Sequence, residues 1–173
     1  MINFTSTKRR FFCQNTNTQQ MKHLKTGDKA PEFKVKNQAG KEITLSDFTG
    51  KKLVIYFYPK DMTPGCTTQS CDLRDNYNKL LAEGYEVIGV SADSEARHIK
   101  FIEKHELPFD LLADEDKTMI NDYGVWGEKK FMGKVYDGIH RTTFIINEEG
   151  TIEDIIEKVK TKTHTEQIFA LRK

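Results

Sequence analysis

Cys66 and Cys71 are the residues of this chain whose type and spacing best suit chemistry. They bound the hexapeptide Cys66-Thr67-Thr68-Gln69-Ser70-Cys71, and the 173 residues hold only one further cysteine, Cys13. The stretch Thr63-Pro64-Gly65 leads into them. A sulfur nucleophile reacts as its thiolate, and an unperturbed thiol with a pKa near 8.5 is only a few per cent ionised at pH 7. Lowering such a pKa to about 6 requires roughly 3.4 kcal/mol of differential stabilisation. A helix N-terminus and one nearby cation supply much of that. Thr63 brings a hydroxyl that can bond the sulfur, and Gly65 lets the backbone come close to whatever binds there.

The spacing has a mechanical consequence. On an ideal α-helix, positions i and i+5 lie roughly 8.7 Å apart and point about 140° away from each other. A disulfide cannot span more than about 7 Å between Cα atoms without backbone movement. If the two sulfurs react with each other, the first turns of that helix must unravel, which makes the pair a switch rather than a staple. A metal site would need three or four ligands, and no third cysteine lies nearby; His98 and His105 fall on a separate segment. The spacing also differs from the Cys-x-x-Cys of thioredoxin-like dithiols. Two buried cysteines packed as small hydrophobes remain the alternative.

The elements that must position these thiols can be read from periodicity. Leu53-Val54-Ile55-Tyr56-Phe57-Tyr58 is a near-continuous apolar run, the pattern of a strand buried on both faces. Pro59 and Pro64 bracket the loop after it, and Pro64 suits a helix's first turn. The spacing predicts a helix over Thr67 to Leu81. Phe33–Lys36 and Glu42–Leu45 alternate around Asn37-Gln38-Ala39-Gly40 as a hairpin, followed by a short helical turn capped by Ser46 or Asp47. Tyr85–Ala92 and Phe109–Leu112 read as further strands, with helices from a Ser94 cap to about Lys104 and over Lys117–Tyr123. Residues 124–138 are Gly-rich and read as an irregular loop or a protruding excursion. Thr142–Ile146 and Thr151–Ile156 flank the turn Asn147-Glu148-Glu149-Gly150, and His164–Leu171 reads as a closing helix. Strands alternating with helices before a final hairpin indicate an α/β domain with a mixed sheet flanked by helices.

Composition bounds the rest. Hydrophobic residues at 37% and no apolar run near the roughly 20 residues of a membrane span indicate a soluble domain. The net charge of +1 conceals an asymmetry, because Lys8, Arg9, Arg10, Lys22 and Lys25 precede the first acid, Asp28. From Asp28 onward, 22 cations face all 26 acids, so the body carries about −4. Overall charge thus gives no support to nucleic-acid binding. Three cysteines fit a reducing cytoplasm better than a disulfide-stapled secreted scaffold. Residues 1–21 are rich in Asn, Gln, Thr and Ser and read as a disordered extension before a domain over 22–173, with an organelle presequence as the alternative. Cys13 reads as a spare thiol in that arm.

With these residues in hand, the segment Tyr56-Phe57-Tyr58-Pro59-Lys60-Asp61-Met62-Thr63-Pro64-Gly65-Cys66-Thr67, followed by Cys71 and Leu73-Arg74, closely resembles the peroxiredoxin active site. It is most similar to the bacterioferritin-comigratory-protein, or Q-type, subfamily of thiol peroxidases. Tyr123-Gly124-Val125-Trp126-Gly127, Tyr136-Asp137-Gly138-Ile139-His140-Arg141 and Thr143-Phe144-Ile145-Ile146 extend the likeness over residues 22–173. The resemblance implies a thioredoxin fold with an N-terminal β-hairpin. It implies Cys66 as peroxidatic nucleophile, Thr63 as the hydroxyl orienting the peroxide, and Arg141 as the guanidinium stabilising thiolate and transition state. Pro64 and Gly65 would shield and shape the substrate side, and Cys71 would resolve a Cys66 sulfenic acid. It further implies reduction by thioredoxin, no cofactor or metal, and a monomer or weak homodimer. Gln69 departs from the Glu of many relatives, which puts a carboxylate partner for arginine in doubt. His140 reads as structural or solvated, and Trp126 as core or as a border of the substrate mouth.

Two other functions share this frame: a disulfide oxidoreductase, and a redox-switched binding or holdase module. The first would be expected to show a Cys-x-x-Cys pair and a proline ahead of the strand at Thr143, and the sequence has neither.

Overall fold

A computed structural model describes residues 23–171. The extension expected over 1–21, and Cys13 with it, lies outside the described residues.

The continuous apolar run becomes strand β3 (Lys52–Phe57), in which Leu53 through Phe57 are all fully buried. Its alternate residues feed two different cores. Leu53, Ile55 and Phe57 join Ile88, Val90, Leu112, Phe144 and Ile146 on one face. Val54 and Tyr56 join Val87, Leu111, Ile145 and Cys66 on the other. A strand with both faces covered has no polar side, which is why its sequence does not alternate.

Around it stand β4 (Tyr85–Ser91), β5 (Asp110–Ala113), β8 (Thr142–Ile146) and β9 (Ile152–Ile156). The sheet order is β5-β4-β3-β8-β9, with β3, β4 and β5 parallel and β8 and β9 antiparallel to their neighbours. Helices α1 (Pro64–Asp75), α2 (Tyr77–Ala82), α3 (Glu95–His105) and α5 (His164–Ala170) contribute Leu73, Leu80, Phe101 and Ile168 to one core. Helix α4 (Thr118–Asp122) and the hairpin of β1 (Lys34–Lys36) and β2 (Glu42–Thr44) cover the other face, through Met119, Ile120 and Ile43. This is the mixed sheet flanked by helices, with an N-terminal β-hairpin, expected from the sequence. A 3-10 turn, Leu45–Phe48, follows the hairpin, and the Asp47 carboxylate accepts from the Thr44 N–H at 2.8 Å.

Three expectations need correction. Thr44, and not Ser46 or Asp47, caps the 3-10 turn, with Asp47 inside it reaching back to the Thr44 N–H. The helix predicted over Thr67–Leu81 begins earlier, at Pro64, and breaks at Asn76 into α1 and α2. Proline at the first position lacks only an N–H the helix cannot use, and the Thr67 N–H reaches the Thr63 carbonyl at 2.9 Å. At the break, the Asn76 side-chain amide donates to the Asp72 carbonyl at 2.9 Å, a local bond that competes with the regular ladder. The stretch 124–138 is not irregular. It forms a two-stranded antiparallel hairpin of β6 (Trp126–Phe131) and β7 (Lys134–Ile139), whose tip exposes Phe131 and Met132.

Register decides where the site lies. Phe57 at the end of β3 pairs with Thr142 at the start of antiparallel β8, and with Val90 near the end of parallel β4. The loop after β3, the residue before β8 and the segment after β4 therefore meet at one end of the sheet. Gly89 on β4 makes room there: a Cβ on it would lie 2.7 Å from the Tyr56 ring and 2.6 Å from Leu111.

Candidate active site

Cys66 occupies the third position of α1 and is 1% exposed. Helix geometry leaves the first-turn N–H groups without partners inside the helix, so this end carries partial positive charge. The Arg141 guanidinium adds a full one. Its Nη2 donates to Cys66 Sγ at 3.3 Å, and its Nη1 donates to Gln69 Oε1 at 2.6 Å. Gln69 is fully buried, and its Nε2 has no hydrogen-bond partner among the described residues. The amide oxygen thus takes over the acceptor role that the sequence left in doubt. Gly65 permits the approach, since a Cβ there would sit 3.3 Å from Arg141 Nη2.

Lys129, which sequence reasoning passed over, is a second cation in this neighbourhood. Its Nζ donates to the Ile139 carbonyl at 2.9 Å across the β6–β7 hairpin. Burial holds its pKa below the ordinary lysine value; the Arg141 charge pushes the same way, and the Cys66 sulfur opposes them. Tyr56 packs beneath α1, where its hydroxyl shares a hydrogen bond with Ser70 Oγ at 3.1 Å, and burial keeps that phenol protonated.

The loop from Pro59 to Thr63 is fixed from below by Asp61, which is fully buried. Its carboxylate accepts from the Tyr58 hydroxyl at 2.6 Å and meets His98 Nδ1 at 2.7 Å, while His98 Nε2 donates to the Leu112 carbonyl at 3.1 Å. The Asp61 N–H donates to Asp93 Oδ2 at 2.8 Å, and Arg97 Nη2 donates to the Asp61 carbonyl at 3.2 Å. Such a network holds Met62 in the left-handed region, at φ 64°, a conformation a non-glycine residue adopts only when its surroundings impose it. The Thr63 hydroxyl donates to the Lys60 carbonyl at 2.9 Å, rather than to the sulfur.

Cys71 lies on the same intact helix, half-buried, and both described cysteines are free thiols. Its Sγ is 4.0 Å from His105 Nδ1 at the end of α3. The structure therefore gathers Cys66, Pro64, Gly65 and Arg141 at one helix end, with Thr63 at its cap and Cys71 farther along. His140 stays outside: its side chain is exposed, and its backbone N–H donates to Val125. Trp126 packs against the core, with Lys117 Nζ 5.2 Å from the centre of its ring. The Asp61–His98 and Cys71–His105 contacts were missed, the two histidines having been weighed only as metal ligands, because neither spacing nor periodicity joins these residues.

A buried thiol held by a guanidinium at a helix start, on a mixed α/β sheet, is an arrangement suited to thiol-dependent redox chemistry. Comparison with known proteins narrows it. The model of the AhpC/TSA family matches residues 26–155. The putative peroxiredoxin bcp of Haemophilus influenzae is 53% identical over 149 residues, spanning 86% of this chain and 96% of that protein. Peroxiredoxin Bcp of Escherichia coli K12 is 48% identical over the same shares of the two chains. A solved structure of the Xanthomonas campestris bacterioferritin comigratory protein superposes with a TM-score of 0.75 at 36% identity, covering 80% of this chain and 88% of that one. The chain belongs to the AhpC/TSA family and is a thioredoxin-fold peroxiredoxin, a thiol peroxidase. Membership supports the peroxidase reading over a disulfide oxidoreductase. Among the described residues, no helix is long and apolar enough to cross a membrane.

Proposed function

We propose that Cys66 is the peroxidatic nucleophile and Cys71 the residue that resolves it. The reading is carried by the 3.3 Å contact from Arg141 Nη2 to Cys66 Sγ at the start of α1. Ionised Cys66 attacks one peroxide oxygen; the S–O bond forms as the O–O bond breaks. Arg141 and the first-turn N–H groups stabilise the charge developing on the departing oxygen, which leaves as water or an alcohol. Thr63 has committed its proton to Lys60, so its oxygen accepts from the peroxide O–H and orients it. Pro64 and Gly65 keep side-chain bulk and water away from the sulfur.

The resulting Cys66 sulfenic acid condenses with Cys71 once α1 opens, and a dithiol reductant of the thioredoxin type restores both thiols. Hydrogen peroxide and organic hydroperoxides are the proposed substrates. Alkyl peroxide reduction is the activity described for the Xanthomonas campestris relative, which supports the second. A monomer or weak homodimer in the cytoplasm completes the reading, since a thiol pair recycled in this way suits a reducing compartment.

Intact mass after one equivalent of peroxide tests it. The wild type is expected to lose two hydrogens and regain them with thioredoxin, while Cys66→Ser consumes no peroxide. Substantial turnover by Cys66→Ser would overturn the assignment.

A further inference from the structure

Cys71 sits in surroundings that the peroxide step does not use. Its Sγ faces His105 Nδ1 at 4.0 Å, within hydrogen-bonding range for sulfur. Three residues along α1, Arg74 Nη1 donates to the backbone carbonyl of that same His105 at 2.7 Å. Cys71 and Arg74 feel each other's charge, with thiolate and guanidinium mutually favourable. The α1 face carrying the second thiol is thus docked on the C-terminal end of α3 by one polar side chain and one cation, both at His105. Phe101 fixes the imidazole edge-on, with ring centres 5.2 Å apart.

We propose that His105 is the proton acceptor that activates Cys71 for the resolving step. The inference rests on the resolving role proposed above for Cys71. A sulfenic acid is attacked by a thiolate, and a free thiol is only a few per cent ionised at neutral pH. With its proton on Nε2, the neutral imidazole presents the Nδ1 lone pair to the Cys71 S–H. The proton passes to Nδ1 and the electron pair stays on sulfur, beside Arg74. As the helix opens, that sulfur attacks Cys66 Sγ; the S–S bond forms, the S–O bond breaks, and the departing hydroxide takes a proton from the imidazolium to leave as water. Cys71 is oxidised and the sulfenic sulfur reduced by the same electron pair.

The charges facing His105 support a neutral ring. From α1 these are Cys71 and Arg74, the latter ion-paired with Asp75 at 2.8 Å. From α3 it is Lys104; Glu106, on the turn after it, acts on Arg74. Burial first, then the Lys104 and Arg74 charges, hold the His105 pKa below its ordinary value, so the acceptor form dominates at pH 7.

Rapid-quench mass spectrometry on the full chain separates the two phases, sulfenic acid formation and bridge formation. In His105→Phe the second phase alone is expected to slow, by about tenfold at pH 7, within the bound set by the few per cent of thiolate available without a base. The difference should close above about pH 9, where an ordinary thiol needs no base to ionise. His105→Gln, which keeps a polar contact but no base, should show the same profile. An unchanged second phase, or one slowed by the same factor at every pH, overturns the role, the latter because it marks lost packing. A wild type that forms no Cys66–Cys71 bridge would instead overturn the resolving assignment itself.

Discussion

Gln69 holds Arg141 by a 2.6 Å hydrogen bond from the same helix that carries Cys66, three residues farther on. The Cys66 thiol and its neighbouring cation are thereby referenced to one helix. The guanidinium aims its second nitrogen at the sulfur because its first is occupied.

Gln69→Leu should therefore release Arg141 without removing it. Misplacing a catalytic group by an ångström can slow a reaction by about 10²-fold, and a loss of that order is expected in the peroxide step. Stopped-flow rates of Cys66 oxidation measure it. A rate equal to wild type would mean that Arg141 needs no anchor.

Bridge formation should be visible as lost helix. Asp72, next to Cys71, accepts from the Thr165 N–H at 2.7 Å and from its hydroxyl at 2.8 Å, which ties α1 to the start of α5. Oxidised wild type should exchange amides faster than reduced protein over about 67–73, and also at Thr165; Cys71→Ser should show no redox difference. Equal exchange in the two wild-type states would refute the unwinding.

The Asp61–His98 pair predicts a stability effect of another kind. Both side chains are fully buried, and removing one partner of such a pair costs about 3–5 kcal/mol. His98→Leu should lose that much in denaturant unfolding, whereas adding Asp61→Asn should restore part of it. Additive losses in the double variant would show that the two residues are not coupled.

His164 supplies the pH dependence. Burial pushes its pKa down to about 4, and Thr143 Oγ1 lies 3.0 Å from its Nε2. The folded state keeps the ring neutral while the unfolded chain takes up a proton below about 6.5, so protons favour unfolding. Stability should be fully present above about pH 6.5 and fall as pH drops toward 4, by up to about 3 kcal/mol. His164→Gln should flatten that limb of the melting-temperature profile; an identical slope in the variant would assign it to other groups.

Much of this protein was determined by its sequence alone. The apolar run Leu53–Tyr58 marked a strand buried on both faces, the turn at Asn147–Gly150 marked the closing hairpin, and the Pro64 segment with Cys66 and Cys71 marked a helix after the central strand. These signals are local: they lie in the periodicity and turn chemistry of a few neighbouring residues. The β6–β7 hairpin was not legible, since most of its side chains on β7 are exposed and no buried face imposes a period of two. The break at Asn76 depended on one side-chain bond to Asp72. The chemistry of the site was a matter for tertiary structure. Arg141 lies 75 residues from Cys66, His98 lies 37 from Asp61, and His105 lies 34 from Cys71. The peroxiredoxin resemblance alone joined Arg141 to Cys66 in the sequence, and nothing there joined the other two pairs. Only the pairing of β3 with β8, which sets Phe57 beside Thr142, brings Arg141 to the loop before α1, because the position of a charge is fixed by strand register and not by distance along the chain.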